Sequence, residues 1–344
     1  MPVIPNAIER WALRRNRAPG VMLDLIGGTA FHSAAVAIDL GVFEHLGQGA
    51  KSASDLAELT DCNVEGIRRL LDFLGAAGYV RKTGSTYSNT SLTTNWLVKT
   101  KPGNVADFVH MWKSLLVETW PESLEFALRN GTIKIHLHDW MSLKPGRWAI
   151  FNESMAAMAA GPAEEIATRV GLPSSARRFL DIGGNHGQYS AAFCRHNPDL
   201  VATIFDVPDA LEYAIATNNP QFDIRPGDIR TDDPGSGYDA VLVSNLIHYF
   251  GPEDCRAIIT RAAGALSPGG MIIISDQVDS SNNSPLVDAF LKMMSLHYFI
   301  MTGSNAYEPD AIVSWLEAAG CKLERKIKLR TAPGQMLIIA ERTA

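Results

Sequence analysis

Residues 179–190 read FLDIGGNHGQYS. Apolar Phe179, Leu180 and Ile182 run into a glycine cluster, and Tyr189, Ala191, Ala192 and Phe193 open a helical pattern beyond it. A strand, a glycine loop and a helix in that order form the unit with which α/β proteins hold nucleotides. The loop departs from the dinucleotide fingerprint GxGxxG: aligned on Gly184 and Gly187, its first glycine is Ile182. The pattern is instead D-x-G-G-x-x-G, with Asp181 at the strand end. A carboxylate there repels a pyrophosphate and suits a ligand that presents a cation. S-adenosylmethionine has an ammonium and a sulfonium and no phosphate, and Gly183 with Gly184 lets the backbone approach it closely.

Two further signals follow in order. Asp206 ends the next strand candidate, VATIFDV, nineteen residues after Gly187, where a carboxylate accepts hydrogen bonds from both ribose hydroxyls. Gly227 and Asp228 of PGDIR follow a third strand candidate, FDIRPGD, and place an acid near the adenine. Outward from these, YDAVLVSNL, GMIIISDQV and QMLIIAER complete a series of strands that begins at RFLDIG, with helical stretches between most of them. This ordering predicts an α/β, Rossmann-like domain with a mostly parallel, doubly wound sheet.

Upstream the pattern changes. Residues 21–48 read as broadly apolar helix. A short helix after Ser54, a second capped by Asn63 and stopped by Gly78, and a hairpin around Gly84 make a winged helix. Between residues 51 and 82 five basic residues face five acidic ones. That balance neutralises few phosphates, so a dimerisation role is expected there rather than DNA binding. Residues 101–160 are helical and rich in aromatic and sulfur side chains, among them Met111, Trp112, Trp120, Trp140, Trp148, Met155 and Met158. They are read either as helix packing or as the wall of a pocket for a flat substrate. The expected domains are 1–100, 101–170 as linking helices contributing to the substrate pocket, and 171–344.

The bulk properties narrow the partners. The 344 residues are 46% hydrophobic and 20% charged, with net charge −6. A mildly acidic chain argues against nucleic acid as main partner. Cys62, Cys194, Cys255 and Cys321 form no CxxC pair, as in a reducing cytoplasmic setting. No secretory signal and no membrane span is read.

FLDIGGNHGQYSAAFCRHNPDLVATIFDVPDALEYA, then GD, then LIHYFGPEDCRAIITRAAGALSPGGMIIISD resemble class I S-adenosylmethionine-dependent O-methyltransferases of the plant caffeate/isoflavone and bacterial secondary-metabolite type. The resemblance spans nearly the whole chain and implies a swapped, helical homodimer. It implies cofactor contacts from Asp181, Gly183, Gly184, Asp206, Val207, Gly227, Asp228, Ile229 and Ser244, with S-adenosylhomocysteine as product. It places the catalytic base at His248, its orienting acid at Asp276 and a second hinge acid at Glu308, two residues beyond the gap-free match Ala306. Met111, Trp112, Trp120, Phe151, Met155, Met294 and His297 become the expected pocket for an aromatic acceptor. Asn185, His186 and Tyr249 depart from the family pattern. Methyl transfer to oxygen is the leading reading. Transfer to carbon or nitrogen, a metal held by His248 and His297, loss of methyl transfer, and a metabolite-sensing regulator are the alternatives.

Overall fold

The computed structural model describes residues 5–101, 103–279 and 283–343. The chain divides into two compact units, Met1–Val117 and Glu118–Ala344.

The first unit holds α1 (Ala7–Arg14), α2 (Val21–Asp39), α3 (Val42–Gly47), β1 (Lys51–Ser52), α4 (Ala53–Leu59), α5 (Val64–Ala76), β2 (Val80–Thr83), β3 (Thr86–Asn89), α6 (Ser91–Trp96) and most of α7 (Ala106–Glu118). The winged helix is present, with a third strand that pairs β1 to β3 in the order β1-β3-β2. Its first helix starts earlier than read: Ser52, not Ser54, is the cap, and Ser52 with Asp55 forms a reciprocal capping box. Asn63 caps α5 by accepting the Gly66 N–H. Phe43, Leu56, Leu71 and Leu74 form the centre of the unit's core. Arg68, Arg69 and Lys82 are each paired with Glu65 or Asp72 rather than arrayed for phosphates. Helix α2, where no span was read, is long and apolar enough by composition to cross a membrane. It carries Asp24 and Asp39, and Ala34, Ala37 and Ile38 lie in the unit's core.

The second unit opens with α8 (Trp120–Asn130), α9 (Leu137–Ser142) and α10 (Arg147–Val170). Then come β4 (Arg178–Ile182), α11 (Gln188–His196), β5 (Val201–Asp206), α12 (Pro208–Ala216), β6 (Phe222–Pro226) and β7 (Tyr238–Ser244). A 3₁₀ turn at Ile247–Tyr249 leads to α13 (Pro252–Ala265), β8 (Leu266–Gln277), α14 (Pro285–Thr302), α15 (Pro309–Ala318), β9 (Cys321–Lys328) and β10 (Gln335–Arg342). The helices read as a linker fall on both sides of the division: Ala106 of α7 joins the first unit's core, while Ala159, Ile166 and Val170 of α10 pack in the second.

The sheet order is β6-β5-β4-β7-β8-β10-β9, parallel from β6 to β8 and antiparallel at β10 and β9. Its central strands are buried on both faces. Leu180 and Ile182 pack to one side and Phe179 to the other, which is why these strands read as continuous apolar runs. Strand direction reverses its progress across the sheet between β4 and β7, and a ligand crevice forms at the carboxyl ends of strands around such a switch point.

Candidate active site

The crevice is built by the loop after β4. Gly183 has φ +70°, and a Cβ there would stand 2.8 Å from Leu246 Cδ1. At Gly184 a Cβ would meet Ile204 at 2.8 Å and the Asp181 carboxyl carbon at 2.9 Å. Only glycine fits either position. Asn185 takes the left-handed conformation that its amide side chain tolerates, at φ +40°. Its Nδ2 donates to Asn152 Oδ1 at 2.8 Å, fastening the loop to α10. Asn152 was not legible in the sequence, because nothing near it in the chain has a matching partner.

Asp206 faces the loop from the end of β5. Its Oδ2 accepts the Asn185 N–H at 3.0 Å and its Oδ1 the Val207 N–H at 2.8 Å. Each oxygen retains lone-pair capacity for one more donor. Burial, against these two bonds, pushes the carboxyl up to about 6. Asp181 is more enclosed. Its Oδ2 accepts the Ser190 hydroxyl at 2.7 Å, and its Oδ1 is buried with no hydrogen-bond partner among the described residues. Burial first, then the charge of Asp206, raises Asp181 to about 7. Asp228 differs: the Arg230 guanidinium beside it holds its carboxyl below the usual range.

A cavity of about 350 Å³ opens among these groups. Gly183, Asp206, Val207, Gly227, Asp228 and Ile229, all expected cofactor residues, line it. Asp181, Gly184 and Ser244 stand outside its lining. His136, His138, Asp139, Arg230, Leu246 and Phe250 line it as well and had no distinguishing sequence signal.

The turn after β7 carries His248, which is 4% exposed. Its Nδ1 lies 2.5 Å from Asp276 Oδ1 at the end of β8. The other Asp276 oxygen accepts the N–H groups of Leu246 and Ile247, at 3.2 and 3.1 Å, and Oδ1 also accepts the Gln277 N–H. The carboxylate is thus clamped by the turn that bears the histidine. In the neutral ring Nδ1–H donates to Asp276, which leaves the Nε2 lone pair as the base. Tyr298 stacks on the ring at 4.2 Å and Tyr249 packs at 4.4 Å. Burial raises both phenols.

The remaining expected residues fall in several elements. Glu308 is exposed at the N-terminal end of α15, where its charge acts on Lys292, and no contact with His248 or Asp276 is among the described ones. Ala306 is buried, and Tyr307 OH donates to the Phe250 carbonyl at 2.6 Å, so an uncharged, hydrogen-bonded brace stands where a hinge acid was sought. Met111 and Trp112 belong to α7 in the first unit. Trp120, Phe151, Met155, Met294 and His297 lie in the second. His297 accepts the Trp120 indole N–H on Nδ1 at 3.1 Å, and burial lowers it to about 3. Among the described residues no group of three metal-ligating side chains converges.

Residues 132–322 match the O-methyltransferase domain family, and residues 23–99 match the O-methyltransferase dimerisation domain. The chain belongs to the O-methyltransferase family. It is 27% identical to the 3-hydroxy-5-methyl-1-naphthoate 3-O-methyltransferase of Streptomyces sahachiroi, covering 94% of each chain. It is 28% identical to the tetracenomycin polyketide synthesis 8-O-methyl transferase of Streptomyces glaucescens, covering 88% of this chain and 91% of that one. The fold matches human N-acetylserotonin methyltransferase in complex with S-adenosylmethionine, with TM-score 0.80, 20% identity and both chains covered in full. The protein is an S-adenosylmethionine-dependent methyltransferase, and its crevice fits that cofactor. The enclosed Asp181 carboxyl has one oxygen with no partner among the described residues, Gly183 lines the cavity with a left-handed backbone that glycine takes freely, and Asp206 on the cavity wall keeps acceptor capacity for a diol.

Proposed function

We propose that the protein transfers a methyl group to a hydroxyl of a planar aromatic metabolite in secondary metabolism, with His248 as general base and Asp276 as its orienting acid. The observation that carries this reading is the 2.5 Å contact between His248 and a carboxylate whose second oxygen is held by two backbone N–H groups of the same turn. When bound, S-adenosylmethionine supplies an electrophilic methyl. The residues do the rest. Neutral His248 takes the hydroxyl proton, and Asp276 fixes the tautomer and stabilises the imidazolium that forms. Aromatic and imidazole rings, from Trp120 and His297 through Tyr298, Tyr249 and His138 to Trp148 and Phe151, form a connected series suited to a flat acceptor. The aromatic acceptors in the relatives' names support this choice.

Glu308 stands outside the proposed catalytic pair. Glu308→Gln is expected to keep kcat within about threefold of the parent at saturating substrates, since an exposed charge so screened changes the site little. A loss of a hundredfold would return Glu308 to the mechanism. The acceptor class itself is tested by incubating the protein with labelled S-adenosylmethionine and a panel of phenolic, quinonoid and 2-oxo-acid compounds, followed by mass spectrometry. The proposal requires label in phenolic products and fails if only the 2-oxo acids are labelled.

We also propose a homodimer centred on residues 1–48. Ile8, Trp11, Val21 and Leu25 are exposed apolar side chains on α1 and α2, and the match to the dimerisation family begins at residue 23. Light scattering at micromolar concentration should give twice the chain mass, and the mass of a single chain would contradict the assignment.

A further inference from the structure

The first turn of α9 lines the cofactor cavity, and the methyl transfer proposed above gives its imidazole nitrogens no role. His136 caps this helix: its Nδ1 accepts the His138 backbone N–H at 3.2 Å. The His138 ring stands edge-on to His136, with centroids 5.0 Å apart, and is wedged between Trp148 at 5.4 Å and Tyr249 at 5.5 Å. Its position is therefore fixed by packing on three rings. It lines the same cavity as Asp206 and Gly227. Burial, with smaller contributions from His136 and Arg230, lowers His138 to about 4 and keeps the imidazole neutral near pH 7. A neutral imidazole offers one N–H donor and one lone pair. Neither ring nitrogen of His138 has a hydrogen-bond partner among the described residues.

The chemistry of this wall selects among the parts of the cofactor. The methionyl end is ionic, and the acid expected to meet it, Asp181, stands outside the lining that His138 shares. The adenosine end is uncharged and carries both hydroxyl donors and nitrogen acceptors, which a neutral donor–acceptor ring complements. Asp206, the expected ribose ligand, lines the cavity together with His138. We infer that His138 is a cofactor-binding residue that hydrogen-bonds the adenosine portion of S-adenosylmethionine, an inference that rests on reading this cavity as the cofactor site.

Calorimetry on the full-length protein with S-adenosylhomocysteine and with adenosine alone tests it. His138→Ala should weaken both ligands by about the same factor, roughly tenfold, the size expected for one lost hydrogen bond in an enclosed site. His138→Phe preserves the ring packed on Trp148 and Tyr249 but has no nitrogen, and should lose as much. His138→Gln should recover affinity to within about threefold. If S-adenosylhomocysteine binds the parent and the phenylalanine variant within twofold of each other, the histidine is a packing residue and the inference is overturned. If the parent binds neither ligand, the cofactor reading of the cavity fails first. The phenylalanine variant also decides the matter should the alanine variant fail to fold.

Discussion

His248→Ala is expected to lower kcat by about 10²–10⁴-fold with cofactor affinity nearly unchanged. A phenol loses its proton at a pKa of about 10, so near neutrality it is a weak nucleophile without a base. In the proposed mechanism the histidine acts on that proton, and it does not line the cofactor cavity, which separates its effect on kcat from any effect on cofactor binding. The variant should fold. Asp276, although buried, still accepts the N–H groups of Leu246, Ile247 and Gln277 when the imidazole is gone, so its charge is not left unpaired. Asp276→Asn should cost less, because the ring remains but its tautomer is no longer imposed. Steady-state kinetics with both substrates saturating decide the point. An alanine variant within threefold of the parent would favour a carbon nucleophile that needs no base.

Asp206→Ala is expected to weaken cofactor binding by about 2–4 kcal/mol, or roughly 30- to 1,000-fold. Its two oxygens each hold one backbone N–H and each has room for one hydroxyl donor. Calorimetry on a folded variant with unchanged affinity would remove the ribose assignment. The raised carboxyl gives a further signature. With Asp206 titrating at about 6, the ionised form that accepts hydroxyl hydrogens is progressively lost as pH falls through 6, and binding must then expel a proton. Cofactor affinity should therefore decline from pH 7.5 to pH 5.5. Asp181, raised to about 7, adds to the same trend from a higher pH. Asp206→Asn should flatten the lower part of the curve.

The parts of this account legible in the sequence are those with local chemical signatures. The strand–loop–helix unit at Asp181–Gly187 was readable because its glycines meet backbone and side chains that exclude a Cβ. The acids at strand ends were readable because parallel strands recur at regular intervals and point the same way. Strand β9 was missed. Its sequence, CKLERKIK, breaks the alternation of apolar and polar residues, and the pairing with β10 shifts register between Ile339 and Ala340, so that Leu323 and Arg325 face consecutive partners. Glu308 was sought by position alone, and the chain there builds an exposed helix start. Asn152 and His138 were beyond reach for a different reason: Asn152 meets Asn185, and His138 meets Tyr249, across long separations in sequence, and only the folded chain brings α9 and α10 to the glycine loop and the 3₁₀ turn.

The central claim is that the transferred methyl arrives on oxygen. S-adenosylmethionine labelled with carbon-13 at its methyl group, incubated with the protein and a phenolic acceptor that is turned over, gives a product whose carbon shift identifies the atom bearing the label. The account predicts a methoxyl carbon, formed by the parent and reduced at least a hundredfold with His248→Ala. A label on a ring carbon or a nitrogen would contradict it.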